Sequence, residues 1–138
     1  MPAAPVTTVA VTTVAVTTVD VTVPVYNEQH VLRVSIERLH DYLATSFPFG
    51  WQISIADNAS TDDTRAIAHQ LASELSNIRV VEIDRKGRGL ALLTSWSSST
   101  AEIVVIVTPL TERTHHLIDA RVLAALPDGA LVVNVARG

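Results

Sequence analysis

Apolar and polar residues alternate from position 19 to 25, where Val19, Val21, Val23 and Val25 are separated by Asp20, Thr22 and Pro24. A period of two is the mark of a strand, and Pro24 with the following Tyr26, Asn27 and Glu28 predicts its end. The period then changes. Leu32, Ile36, Leu39 and Leu43 recur at spacings of four, three and four, which puts them on one face of a helix over residues 29–45. Phe47, Pro48, Phe49 and Gly50 break that helix. Trp51, Ile53 and Ile55 mark a second strand that stops at Asp57 and Asn58. Ser60 or Thr61 is placed to cap the next helix, with Asp62 and Asp63 in its first turn, where carboxylates suit the dipole. Ile67, Leu71 and Leu75 form the buried stripe of that helix.

Residues 78–83 read as a third strand and residues 84–89 as a basic, glycine-rich loop. A short helix over 90–97 follows. Residues 103–107 are a continuous apolar run, the pattern of a strand covered on both faces. Pro109, Leu110 and Thr111 interrupt it. A helix near 119–126 ends before the turn residues Pro127, Asp128 and Gly129, and a last strand spans 131–135. Strands and helices therefore alternate. The predicted class is α/β, a Rossmann-like three-layer α/β/α fold with a mainly parallel sheet and right-handed crossovers. Such sheets bind ligands beyond the carboxyl ends of their strands. Those ends are Tyr26 to Glu28, Asp57 and Asn58, the 84–89 loop, residues 108–111, and Ala136 with Arg137.

The first residues follow a different rule. VTTVA fills 6–10 and again 11–15, and VTTVD fills 16–20. An odd period turns successive valines to opposite faces of a strand, so no face collects them. Residues 1–18 are expected to be a disordered low-complexity leader before a single α/β domain over 19–138. The alternative is a sticky β segment, because valine and threonine with little charge favour strand pairing.

Composition narrows the functions. Of 138 residues, 48% are hydrophobic, enough for a core, and 17% are charged. The net charge of -4 offers no footprint for nucleic acid. Without cysteine there is no disulfide, thiolate zinc site or cysteine nucleophile. No run reaches the roughly 18 apolar residues of a membrane helix. The opening Met-Pro-Ala-Ala-Pro lacks the basic and leucine-rich parts of a signal peptide, so a cytoplasmic protein without a membrane segment is expected. His115 and His116 are adjacent and point to different faces, and His30, His40 and His69 lack ligand spacing.

The strand ends carry candidate chemistry. A nucleoside needs a planar apolar contact, hydrogen bonds to the base edge and a carboxylate for the ribose. Tyr26, Asp57 and Glu28 can supply these in turn, and the backbone at Pro24 and Val25 can approach the base. Lys86 and Arg88, on a loop freed by Gly87 and Gly89, can face a diphosphate. Each also has a plain structural reading. Asp57, Asn58 and Ser60 can be a turn and cap, Arg85, Lys86 and Arg88 a solvated loop, and Tyr26 packing.

The motifs VPVYNE at 23–28 and DNASTDDT at 57–64, with the basic loop after them, resemble the amino-terminal half of a family 2 inverting glycosyltransferase of the GT-A fold. The resemblance covers about residues 21–103 and is nearest to polyprenyl-phosphate sugar synthases. It implies a nucleoside diphosphate or nucleotide sugar as ligand, bound through Pro24, Val25, Tyr26, Glu28, Asp57, Asn58, Lys86 and Arg88. It also implies a D-x-D motif holding a divalent metal. That motif is missing, since no carboxylate lies between Glu102 and Glu112.

Residues 104–138, with TPLTERTHHLIDARVLAALPDGALVVNVARG as their core motif, resemble the NAD-binding domain of a D-isomer-specific 2-hydroxyacid dehydrogenase. By that resemblance Pro109 and Ala136 line NAD, and Arg137 is a catalytic residue that binds the substrate carboxylate. The family's G-x-G-x-x-G is incomplete, because Leu92 stands at the third glycine position. The two resemblances meet in a strand common to both families, which reads as a chimera. The expected function is a nucleotide-sugar-binding half-domain with weak binding and little or no turnover. The alternatives are an NAD-binding dehydrogenase fragment and a structural chimera without a ligand.

Overall fold

The computed structural model describes residues 18–85, 90–107, 118–126 and 128–134. Within them the order is β1 (Thr18–Val25), α1 (Leu32–Ser46), β2 (Gly50–Asn58), α2 (Thr64–Glu74), β3 (Ile78–Ile83), α3 (Leu90–Ser97), β4 (Ile103–Ile106), α4 (Ala120–Ala124) and β5 (Leu131–Asn134). The strands form one sheet in the order β3-β2-β1-β4-β5, and every pair is parallel. The chain first steps outward from β1 to β3. Through α3 it then crosses to the other side of β1 for β4 and β5. The expected α/β architecture is what the chain adopts. Of the leader expected over 1–18, residues 1–17 lie outside the described residues, and Thr18 opens β1.

Register divides the sheet into two faces. Val19 lies beside Trp51 and Ile103, and Val21 beside Ile53 and Val105. These odd positions of β1 join Ile55, Leu32, Ile36, Leu43, Ala68 and Leu71 in one core under α1 and α2. Burial of each large aliphatic side chain there contributes roughly 1.5–3 kcal/mol. The even positions face α3 and α4, where Leu92, Trp96, Val104, Ile106 and Val122 form a second core. Helices on both faces make the three layers. On the α1/α2 side the sheet is not fully covered at its β5 edge, where Leu131 is 56% exposed.

Two helices begin later than their patterns predict. The amides of Val31 and Leu32 donate to the Glu28 carbonyl at 3.1 and 2.9 Å, so the chain spends residues 28–31 on a turn before α1. Helix α2 starts at Thr64, not just after Ser60 or Thr61, because both hydroxyl residues are bound to the β1–α1 loop. Asp62 and Asp63 therefore precede the first turn: Asp63 is the N-cap without a side-chain cap bond, and Asp62 Oδ1, one residue earlier, accepts from the Thr64 amide at 2.9 Å. Pro24 does not end β1 either. It lies in register with Ala56, but the β4 ladder stops at Thr22, so its missing N–H costs nothing on that side.

The second face holds a buried polar cluster at its centre. Asp20 is fully buried. Its Oδ2 accepts from Gln52 Nε2 at 2.7 Å, Ser99 Oγ at 2.8 Å and Arg79 Nη2 at 3.3 Å. Its Oδ1 accepts from Thr22 Oγ1 at 3.3 Å, and Thr22 Oγ1 accepts from Trp96 Nε1 at the same distance. Arg79 extends the cluster to Ser54, Ser98 and the Ser95 carbonyl. Every charge here is paired, as burial demands.

Candidate functional site

The carboxyl ends of β1 and β2 are clasped together by a side chain that the motif reading passed over. Asn27 follows β1 with φ at 51°, a left-handed conformation that asparagine tolerates better than most residues. Its Oδ1 accepts from the amides of Thr61 at 2.8 Å and Asp62 at 3.3 Å. Its own amide donates to Ser60 Oγ at 3.0 Å. Next to it the Glu28 amide donates to Thr64 Oγ1 at 2.8 Å, and Thr64 is buried. The Gln29 amide donates to Asp62 Oδ2 at 3.4 Å, and the Asp63 amide returns a bond to Gln29 Oε1 at 3.1 Å. Two loops far apart in sequence thus become one rim.

The rim fixes the candidate residues. Val25 is buried and pairs with Asp57 across the β1–β2 ladder, with Pro24 half-buried before it. Tyr26 and Asn58 are half-buried at the ends of their strands, and the Glu28 side chain is exposed. Tyr26, Glu28 and Asp57 therefore lie at the same end of the sheet. Lys86, Arg88, Pro109, Ala136 and Arg137 lie outside the described residues.

Asp57 is the unusual member. Its side chain is 0% exposed and its register partner on β3 is Glu82. Arg65, in the first turn of α2, donates from Nε to Oδ2 at 2.9 Å and holds Nη2 at ion-pair distance from the same oxygen, 2.8 Å. The Ser60 amide also donates to Oδ2, at 3.4 Å. Oδ1 is buried and has no hydrogen-bond partner among the described residues. A buried acceptor without a partner is costly and marks a point where a donor would be welcome.

Arg65 is itself held from several sides. Nη2 donates to the Ile83 carbonyl at 3.0 Å, and Glu82 and Asp84 lie at 3.7 and 3.9 Å. Its pKa is raised above the ordinary value, first by the bond to Asp57 and against the effect of burial, with Glu82 and Asp84 adding to the rise. His69 Nε2 pairs with Glu82 one turn further along α2. Asp62 is moved the other way. Burial alone would raise its pKa, but the bonds from Thr64, Gln29 and its own amide lower it below the ordinary carboxylate value.

The motif reading missed Asn27, Thr64 and Arg65. The signal for Asn27 was present, since asparagine at a strand end suits a left-handed turn. The role of Arg65 depends on where α2 begins, and that shifts by several residues from the capping pattern.

Among the described residues, no group of three histidine, aspartate or glutamate side chains is placed to hold a metal ion. No helix among them is long and apolar enough to cross a membrane.

Comparison with known proteins finds likenesses over most of the chain. The family model described as glycosyl transferase family 2 matches residues 20–108, which include the Asn27 clasp and Asp57. A second likeness is to the glyoxylate/hydroxypyruvate reductase B of Escherichia fergusonii, 31% identical over 105 residues. That stretch is 76% of this chain and 27% of the reductase, so the chain spans about a quarter of the length of this curated relative. A stretch of that length extends well beyond residues 104–138 and into the part matched by the transferase family.

Proposed function

That the chain belongs to glycosyl transferase family 2 is the premise from which we propose a nucleotide-sugar-binding site at the carboxyl ends of β1 and β2. The single observation that carries the reading is Asp57 Oδ1, a buried carboxylate oxygen with no hydrogen-bond partner among the described residues, at the rim where the family motif lies. A base edge with an N–H donor would satisfy it. Tyr26 beside it offers a planar surface for the base, and Glu28 offers an exposed carboxylate for ribose hydroxyls. Pro24, Val25 and Asn58 complete the strand-end surface, and Lys86 and Arg88 supply positive charge for the diphosphate.

The residues present do not fit the divalent metal of that family. The segment between Glu102 and Glu112 carries no carboxylate, and no ligand group is assembled among the described residues. No transfer step is therefore routed through a metal. Without preorganised charge at the leaving group, a rate loss on the order of 10²-fold or more is expected. The proposed role is weak nucleotide-sugar binding with little or no turnover.

Titration calorimetry with UDP and GDP tests this. Binding should be nearly independent of magnesium and manganese, and Asp57→Ala should abolish most of it. An Asp57→Ala variant that binds like the parent would overturn the reading. A second reading is favoured by the likeness to the reductase. In it, residues 104–138 serve an NAD-binding domain, with Pro109 and Ala136 at the cofactor and Arg137 at the substrate. A thermal shift with NADH and none with UDP or GDP would establish that reading in place of the first.

A further inference from the structure

Resting on the nucleotide reading above, we propose that Arg65 is a positioning residue: it fixes the direction in which the free oxygen of Asp57 is offered to a base. The argument begins with an asymmetry. A guanidinium facing a carboxylate ordinarily engages both oxygens in parallel. Here Nε donates to Oδ2 at 2.9 Å, Nη2 lies at ion-pair distance from the same oxygen, 2.8 Å, and the Ser60 amide adds a donor to that atom. Oδ1 receives nothing from the described residues.

The guanidinium cannot drift to share itself between the two oxygens. Nη2 is also committed to the Ile83 carbonyl at the end of β3, at 3.0 Å. Glu82, 3.7 Å from Nε, and Asp84, 3.9 Å from Nη1, add attraction to that placement. Rotation of the carboxylate only exchanges two equivalent oxygens. Whichever one occupies the Oδ2 place, the other is left in a single buried direction.

That arrangement has a chemical consequence. A carboxylate paired to a guanidinium accepts and does not donate. Its free oxygen suits a ring N–H at the pairing edge of a base, as in uracil or guanine. It opposes the ring-nitrogen acceptor that adenine and cytosine present there. Removing the donor from the ligand leaves a buried acceptor unpaired, the situation in which sites discriminate most sharply. Without Arg65 the carboxylate is free to turn, and affinity can survive while discrimination is lost.

Calorimetry with UDP and with its N3-methyl analogue separates these roles. The parent should prefer UDP by about tenfold or more, the range of a hydrogen bond to a charged group. Arg65→Gln should bring the ratio close to one while binding of the methylated analogue changes by less than about twofold. Arg65→Lys keeps the charge without the paired donors and should also lose the preference. If Arg65→Gln fails to fold around an unpaired Asp57, the Asp57→Asn/Arg65→Gln double variant removes the buried charge and should show no preference. A parent-like ratio in any of these variants overturns the role of Arg65 and leaves the nucleotide reading intact. A parent that binds UDP and its methylated analogue equally overturns the positioning role. A parent that binds none of UDP, its methylated analogue and GDP overturns the nucleotide reading together with it, and a parent that binds GDP alone moves the same comparison to GDP and its N1-methyl analogue.

Discussion

Asp20 and Asp57 are both fully buried carboxylates on neighbouring strands, and their surroundings make them opposites. Around Asp20 each oxygen has a partner, from Thr22, Gln52, Ser99 and Arg79. Around Asp57 one oxygen has all the donors and the other has none. The first pattern is structural and the second fits a ligand. Breaking a buried pair by removing one partner costs about 3–5 kcal/mol. Arg79→Met should cost about 3 kcal/mol, the low end, because Gln52 and Ser99 still serve Asp20. Urea denaturation at neutral pH measures it. A loss below about 1 kcal/mol would mean that the pair is worth no more than a surface salt bridge. Trp96→Phe removes the indole donor to Thr22, whose hydroxyl keeps its bond to Asp20, and leaves a gap in the second core; it should cost about 1–3 kcal/mol in the same measurement.

Between residues and fold lies the clasp of the β1–α1 and β2–α2 loops. It replaces the helix-capping role that Ser60 and Thr61 would otherwise have. Asn27→Gly keeps the left-handed backbone and deletes the side-chain bonds to residues 61 and 62. The expected loss is about 1–2 kcal/mol, with weaker UDP binding, because Tyr26 and Glu28 would no longer be fixed against Asp57. An unchanged affinity beside the stability loss would separate the clasp from the site. Asp62 gives the clasp a pH signature. Its pKa is lowered on folding, so its contribution is present above the ordinary value of 3.8 and is lost as pH falls below it. The stability gap between the parent and Asp62→Asn should hold from neutral pH down to about pH 4 and close below that. A gap that closes well above that pH would contradict the lowered value.

At the scale of the molecule, the two cores lie on opposite faces of one sheet, and β1 joins them. It pairs with β2 over its full length and with β4 from Val19 to Thr22. The β4 and β5 strands, with α3 and α4, are therefore expected to melt with the rest. Tryptophan fluorescence and far-ultraviolet circular dichroism should report one coincident thermal transition. Trp96 belongs to the second core and Trp51 packs at the first, so both halves contribute to the signal. Two separate transitions would mean that the part after β3 folds as its own unit. The same layout puts the clasped rim entirely on the β1–β2 half, which the transferase family model covers.

Periodicity alone was enough to read the order of elements from β1 to β5. Strands of period two and helices of period three to four bury one stripe each, and that local demand is written in residues such as Val19, Val21, Ile36 and Leu43. That Tyr26, Glu28 and Asp57 lie at one end of the sheet was legible for the same reason, since strands of a parallel sheet end on the same side. Helix starts were not legible. Ser60 and Thr61 have the chemistry of caps, but a cap is a competition among donors and acceptors, and Asn27 wins them from a distant part of the chain. The polar face of β1 was not legible either. Asp20 and Thr22 alternate with valine like the outer face of a half-covered sheet, yet α3 covers them and Arg79 arrives from β3. Only the folded chain decides which polar residues meet, because pairing across strands depends on register. Asp57 shows this most plainly: its sequence position names a candidate ligand, and the placement of Arg65 on α2 decides which of its oxygens remains free.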